Sequence, residues 1–191
     1  MDIKELLSKN PLIAAAQHDT LELAVASKVS SIILMNGKLN ELMGRDFQKY
    51  NKKKPILLHA DLIKGLSNDR EAINFIKEYI NPAGIVSTKS TLLRAAKKQG
   101  LTTIQRIFLI DSNSLKSAIE SIKENNPDVV EIMPGWVYPI AEGIKKETNK
   151  PIVLGGLINH KKLVLDIIKY GSYGISSSKV DLWNMDISSE G

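Results

Sequence analysis

The chain contains no cysteine, so disulfides, thiolate metal sites, iron–sulfur clusters and cysteine nucleophiles are all excluded. Aromatic residues are scarce, at 5%, and no RRM, KH or zinc-knuckle signature is present to mark an RNA-binding module. No apolar run approaches the roughly 18 residues of a membrane helix. The start, MDIKELLSKN, is too charged for a signal peptide, so the expectation is a cytoplasmic protein. Arginine is also rare: of 26 basic residues only Arg45, Arg70, Arg94 and Arg106 carry a guanidinium. Lysine offers a point charge rather than a planar fork, which suits loose electrostatic contact better than bidentate recognition. His18, His59 and His160 lack a ligand spacing such as HExxH, so no metal is expected.

What is present is ordinary for one globular domain spanning residues 1–191: 43% hydrophobic and 25% charged residues, with a net charge of +5. That surplus attracts phosphates but does not establish a nucleic-acid partner. Basic clusters at Lys52-Lys53-Lys54, Lys97-Lys98, Lys145-Lys146 and Lys161-Lys162 fall mostly within or after expected helices, where cations favour the helix dipole.

Eight short apolar runs recur along the chain: LIAAA from Leu12, SIILM from Ser31, PILLH from Pro55 and AGIVS from Ala83, then TIQRIFLI from Thr103, VVEIM from Val129, PIVLG from Pro151 and YGISS from Tyr173. Each is continuous rather than alternating, and they are rich in Ile and Val, as strands buried on both faces require. Helical spacing fills the gaps. Leu21, Val25 and Val29 follow Asp19 as a candidate N-cap; Ile73, Ile76 and Ile80 follow Asn68-Asp69. Leu92, Leu93, Ala95 and Ala96 precede Gly100, Ile119 and Ile122 follow Ser112, and Leu163, Ile167 and Ile168 precede Gly171. Strands alternating with helices predict parallel pairing with right-handed crossovers. Eight units favour an α/β fold of compact (β/α)8 TIM-barrel type, although such barrels usually need about 250 residues. An open doubly wound sheet is the competing architecture. Few residues follow the eighth run, so the last helix is expected to be short or missing.

In such a barrel, ligands meet the C-terminal ends of the strands, and phosphate commonly sits after strands seven and eight. Those ends read Gly155-Gly156-Leu157-Ile158 and Ser176-Ser177-Ser178. Glycines admit close backbone approach and hydroxyls add donors, which fits a phosphate cradle. Other strand ends are polar: His59-Ala60-Asp61, Ser87-Thr88-Lys89 and Glu131-Ile132-Met133-Pro134-Gly135. Strand five carries Gln105, Arg106 and Asp111, the last also an attractive N-cap. A charge within a strand must be paired or reach the barrel mouth. Glu131 and Asp61 are the candidate partners of Arg106. The same groups could instead serve chemistry, with Lys89 forming a Schiff base and Asp61 or Glu131 acting as general base.

As an ordered set, several motifs resemble the GlpP family of glycerol uptake operon antiterminator regulatory proteins. They are His59-Ala-Asp-Leu-Ile-Lys-Gly-Leu66, Gly84-Ile-Val-Ser-Thr-Lys89, Gly100-Leu-Thr-Thr-Ile-Gln-Arg106 and Phe108-Leu-Ile-Asp-Ser112. Pro127-Asp-Val-Val-Glu-Ile-Met-Pro-Gly135, Gly155-Gly-Leu-Ile158, and Ile175-Ser-Ser-Ser178 with Leu182-Trp183 complete the set. The resemblance implies a compact barrel and a cytoplasmic regulator without catalysis or cofactor. Its effector would be glycerol 3-phosphate and its target the leader of a glycerol-catabolic messenger RNA, protected from premature termination. No DNA or membrane partner is implied, and a homo-oligomer is compatible with it. Gly155, Gly156, Ser177 and Ser178 would hold the phosphate, with Gly135, Leu157 and Ser176 beside them. Asp61, Lys89, Arg106 and Glu131 would orient the polyol. Relatives tend to carry an acidic residue where this chain has Lys64. The alternative function is a phosphate-binding barrel enzyme, an isomerase, aldolase or phosphodiesterase-like hydrolase acting on a small phosphorylated polyol.

Overall fold

Short strands and short crossovers are what allow this chain to close a barrel. The computed structural model describes residues 3–171 and 174–187. In chain order the strands are β1 (Leu12–Ala16), β2 (Ser31–Leu34), β3 (Gly37–Lys38), β4 (Ile56–His59) and β5 (Ile63–Lys64). They continue as β6 (Gly84–Ser87), β7 (Thr102–Phe108), β8 (Val129–Met133), β9 (Ile152–Gly155) and β10 (Gly174–Ser177). Strands β3 and β5 pair only with each other. The remaining eight are parallel and close in the order β1-β2-β4-β6-β7-β8-β9-β10, with β10 pairing back onto β1. Each of the eight apolar runs forms one barrel strand. Tyr173, expected to begin the eighth, lies outside the described residues.

The helices are α1 (Ile3–Lys9), α2 (Leu21–Ala26), α3 (Leu39–Leu42), α4 (Arg45–Lys53) and α5 (Arg70–Phe75, continued by a wider turn over Ile76–Ile80). After them come α6 (Ser90–Lys98), α7 (Ser112–Asn125), α8 (Tyr138–Thr148) and α9 (Lys161–Lys169). Caps set several starts. The Asp69 carboxylate accepts from the Ala72 amide, Asp111 accepts from the Ser114 amide, and the His160 ring accepts from the Leu163 amide. Asp111 is therefore occupied as a helix cap. Asp19 is not a cap: it lies in a 3₁₀ turn over His18–Thr20, and Thr20 takes the N-cap position of α2. Nor does α2 reach Val29. It stops at Ala26, where Ser27 Oγ and the Lys54 ammonium both turn onto the carbonyl of Ala24, and Val29 is buried in the loop that follows.

Strand periodicity sorts the side chains into two cores. Alternate residues point inward, so Ile13, Ile33, Leu57, Val86, Ile104, Val129 and Val153 fill the lower interior, with Ile3 and Leu7 of α1 packed beneath them. The intervening strand residues face the helices and join the larger outer core. Gln105 belongs to that outer side, where its amide donates to Ser121 Oγ and accepts from Asn125. Moving two residues up from the apolar layer brings Arg106, Glu131, His59 and Ser176 into the upper interior. Beyond β10 the described chain forms a 3₁₀ turn over Val180–Leu182, in keeping with a short last crossover. Trp183 then buries its ring and donates its indole N–H to the carbonyl of Ser177 at 2.7 Å.

Candidate functional site

The upper interior is polar, with Arg106, Glu131 and Ser176 paired and His59 Nδ1 buried without a hydrogen-bond partner among the described residues. Arg106 Nε donates to Glu131 Oε2 at 2.7 Å, and Ser176 Oγ donates to Glu131 Oε1 at 2.5 Å. Arg106 and Glu131 sit directly opposite each other on β7 and β8, and both are buried. Burying one charge alone is costly, so each is retained because the other neutralises it. The second guanidinium edge reaches Met35 sulfur at 3.4 Å. Arg106 thus takes Glu131 rather than Asp61 as its partner.

Asp61 serves a different purpose. Its carboxylate accepts from Ser87 Oγ, from the Thr88 amide at 2.8 Å and from Thr88 Oγ1 at 2.7 Å, so it clasps the loop between β6 and α6. Burial pushes its pKa up, but these hydrogen bonds outweigh burial and hold the carboxyl below its ordinary range. His59 is displaced downward, first by burial and then by the nearby Arg106 charge, against the pull of Asp61 and Glu131. Lys89 lies at the exposed rim, and its amide donates to Ser87 Oγ at 3.0 Å.

The ends of β6 and β10 repeat one another in sequence, Gly-Ile-Val-Ser-Thr-Lys from Gly84 and Gly-Ile-Ser-Ser-Ser-Lys from Gly174. The hydrogen bonding repeats as well: the Lys179 amide donates to Ser177 Oγ at 3.1 Å, as the Lys89 amide does to Ser87. Through the pairing of His59 with Val86 and of Gly155 with Ser176, Asp61 corresponds to Leu157 in the other half. The donors that hold Asp61 in one half therefore have no carboxylate to meet in the other. Ser176 is engaged by Glu131 and Ser177 by the carbonyl of Ile158 at 2.8 Å. Among the described residues, the Ser178 amide and hydroxyl have no hydrogen-bond partner.

Beside Ser178 lies a cavity of about 420 Å³ lined by Gly156, Leu157, Asn159, Lys179, Gln17 and Met133, among others, together with all three serines. Its shape depends on glycine. A Cβ on Gly155 would collide with Ser176 Oγ and come within 2.8 Å of Glu131 Oε1, and Gly156 has φ +75°. Leu157 follows with φ 58°, a left-handed conformation in a residue that is 72% exposed. Such strain in an exposed non-glycine residue is typical of sites that aim backbone groups at a ligand. Gly135 supports this loop from below, its amide donating to the Gly156 carbonyl at 2.9 Å.

The structure thus brings together Gly155, Gly156, Leu157 and Ser176–Ser178, with Glu131 and Arg106 beneath and Gly135 behind. Asp61 and Lys89 stand on the corresponding ends of the other half-barrel and do not line the cavity. Sequence reasoning missed Gln17, Asn159 and Lys179. The Ser-x-Lys repeat after β6 and β10 was the signal that could have found Lys179. A larger hollow of about 610 Å³ opens at the opposite end of the barrel, between Lys97, Asp128 and Lys150. Lys97 there is paired with Asp128 and Lys150 with the side chain of Asn126, and it lies away from the strand ends where barrels place ligands.

Residues 12–183 match the family described as glycerol-3-phosphate responsive antiterminator. The uncharacterized protein YgcP of Escherichia coli K12 is 30% identical over 186 residues, 97% of either chain. A glycerol uptake operon antiterminator regulatory protein from Listeria monocytogenes superposes with a TM-score of 0.85 at 29% identity, over 91% of this chain and 95% of that one. A glycerol uptake operon antiterminator-related protein from Thermotoga maritima gives 0.77 at 26% identity, over 91% and 98%. The chain belongs to the family of glycerol-3-phosphate responsive antiterminators.

Proposed function

We propose that this protein is a cytoplasmic, non-catalytic sensor, working as a single barrel domain, that binds glycerol 3-phosphate in the β9–β10 mouth and a glycerol-catabolic leader RNA when so loaded. The observation that carries the ligand site is the contrast between the two half-barrels. Thr88 presents an amide and a hydroxyl to the Asp61 carboxylate, while Ser178 presents the same pair of groups to a cavity. An anion is what such donors take, and Lys179, which lines the cavity, carries the charge a phosphate monoester requires. Gly155, Gly156 and Leu157 bring the backbone close, Gln17 and Asn159 supply polar groups for the two hydroxyls, and Ser176 lines the site while held by Glu131. Glu131 and Arg106 fix Ser176 from beneath, Gly135 props the glycine loop, and Ser177 locks its own loop. Asp61 and Lys89 shape the opposite rim.

The same hydrogen bonds support regulation over catalysis. Glu131 and Asp61 are each engaged in holding neighbouring groups of the chain, and Asp61 and Lys89 lie off the cavity. A ligand shifts an equilibrium only by its differential affinity for the two states, and about 100-fold discrimination corresponds to roughly 2.7 kcal/mol. The test is a mobility-shift titration of leader RNA with and without saturating glycerol 3-phosphate. Tighter binding with the ligand supports the reading; identical affinities in both arms overturn it.

A further inference from the structure

The chain carries a net charge of +5. Elsewhere Lys97 pairs with Asp128, and Lys145 and Lys146 share Glu142. Arg45, Lys49, Lys52, Lys53 and Lys64 gather on one face. All five are exposed, and among the described residues none forms an ion pair. They rim two adjoining hollows of about 480 and 560 Å³ that share Met43, a methionine 49% exposed. Asp46 is the one acidic residue within α4.

The small β3–β5 sheet adds a second sign of an anionic partner. Its register sets Lys38 directly beside Lys64, and like charges side by side on paired strands repel. Lys38 is relieved by Glu41 at 3.6 Å, whereas Lys64 has no such partner. This sheet also adjoins the ligand mouth. Met35, which touches Arg106 and lines the cavity, lies two residues before β3, and Asp61 lies two residues before β5.

We propose that RNA docks its phosphate backbone on this face, formed by the β3–β5 sheet and α4. The proposal rests on the RNA reading given above and assigns it a surface. Lysine point charges without stacking aromatics fit phosphate contacts, which confer affinity and strong salt dependence rather than sequence reading.

The test is fluorescence anisotropy of a labelled leader transcript from the host's glycerol-catabolic operon, with saturating glycerol 3-phosphate, over a range of salt. Three proteins are compared: the wild type, the triple variant Lys49→Glu/Lys52→Glu/Lys64→Glu, and the control Lys145→Glu/Lys146→Glu. The triple variant is expected to lose at least about tenfold in affinity and to flatten the log–log salt slope by about 2, three contacts at roughly 0.7 each. Its glycerol 3-phosphate binding, read by calorimetry, should match the wild type and so report an intact fold. The milder Lys→Gln triple should fall between. Wild-type affinity and slope in the triple variant, or an equal loss in the control, would overturn the surface while leaving the RNA reading standing. A wild type that binds no leader transcript at any salt would overturn both.

Discussion

Thr88 and Ser178 hold the same place in the two halves of the barrel, and only Thr88 has a carboxylate to donate to. The difference originates two residues past the neighbouring strand, where one half has Asp61 and the other Leu157. One half carries its anion within the chain. The other leaves the corresponding donors on Ser178 without one, which is the basis for proposing an anion site there.

Ser178→Ala is therefore expected to weaken glycerol 3-phosphate binding by about tenfold to 100-fold, the value of a hydrogen bond to a charged group. Thr88→Val should leave that affinity unchanged and lower stability instead, because it removes a donor from Asp61. Calorimetric titration with thermal unfolding of both variants separates the two effects, and equal ligand affinities for wild type and Ser178→Ala would count against the assignment.

Glu131→Gln strands the Arg106 charge inside the barrel, and breaking a buried pair in this way costs about 3–5 kcal/mol. The double substitution Arg106→Met/Glu131→Leu removes both charges and should recover part of that loss. Urea unfolding of the single and double variants measures it. A single variant as stable as the wild type would show that the pair does not hold the strands as described.

Gly155→Ala places a methyl against Ser176 Oγ and Glu131 Oε1. The expected outcome is loss of ligand binding through displacement of Ser176, together with reduced stability. Leu157→Gly should do the opposite for stability. It relieves a left-handed leucine at a cost of about 1–2 kcal/mol, partly offset by about 0.5–1 kcal/mol of added chain entropy. A melting temperature that rises slightly for Leu157→Gly and falls for Gly155→Ala is the expected pair of results.

Acid should destabilise the fold in two stages. His59 is shifted below its ordinary value of 6.5, so below about pH 6.5 the unfolded chain takes up a proton that the folded chain refuses, and stability falls with pH. Asp61 is also shifted down. Its contribution is complete above about pH 4 and is lost as pH drops through its lower folded value. Urea unfolding across pH 3–7 should show both stages, and His59→Gln should abolish the first. An unchanged first stage in that variant would locate the sensitivity elsewhere.

Much of the fold was legible in the sequence because parallel barrel strands are buried on both faces. Runs such as Ser31–Leu34 and Val129–Met133 are almost wholly apolar; Glu131 is paired with Arg106, and the buried Ser31 hydroxyl has no hydrogen-bond partner among the described residues. Helix α1 was less visible: its buried residues, Ile3 and Leu7, are a single pair and acquire meaning only once a barrel floor exists for them to cover. The glycine and serine ends of β9 and β10 were readable from local chemistry. What could not be read was the division of labour among those hydroxyls. Ser176, Ser177 and Ser178 are chemically alike, and only three-dimensional pairing shows that the first two are occupied. Asp61 and Lys89 share the polarity of ligand residues, yet closure of the barrel puts them in the other half. Pairing of Arg106 with Glu131 rather than Asp61 follows from the β7–β8 register, which no single-chain pattern specifies.

The central claim is that the β9–β10 mouth receives a phosphate monoester carrying a small polyol. Isothermal titration with glycerol 3-phosphate, with glycerol and inorganic phosphate as separate controls, tests it most directly. Saturable binding of the ester, much tighter than that of either half, and weakened in Ser178→Ala, is the expected result. Binding no tighter than to inorganic phosphate, or no binding, would contradict it.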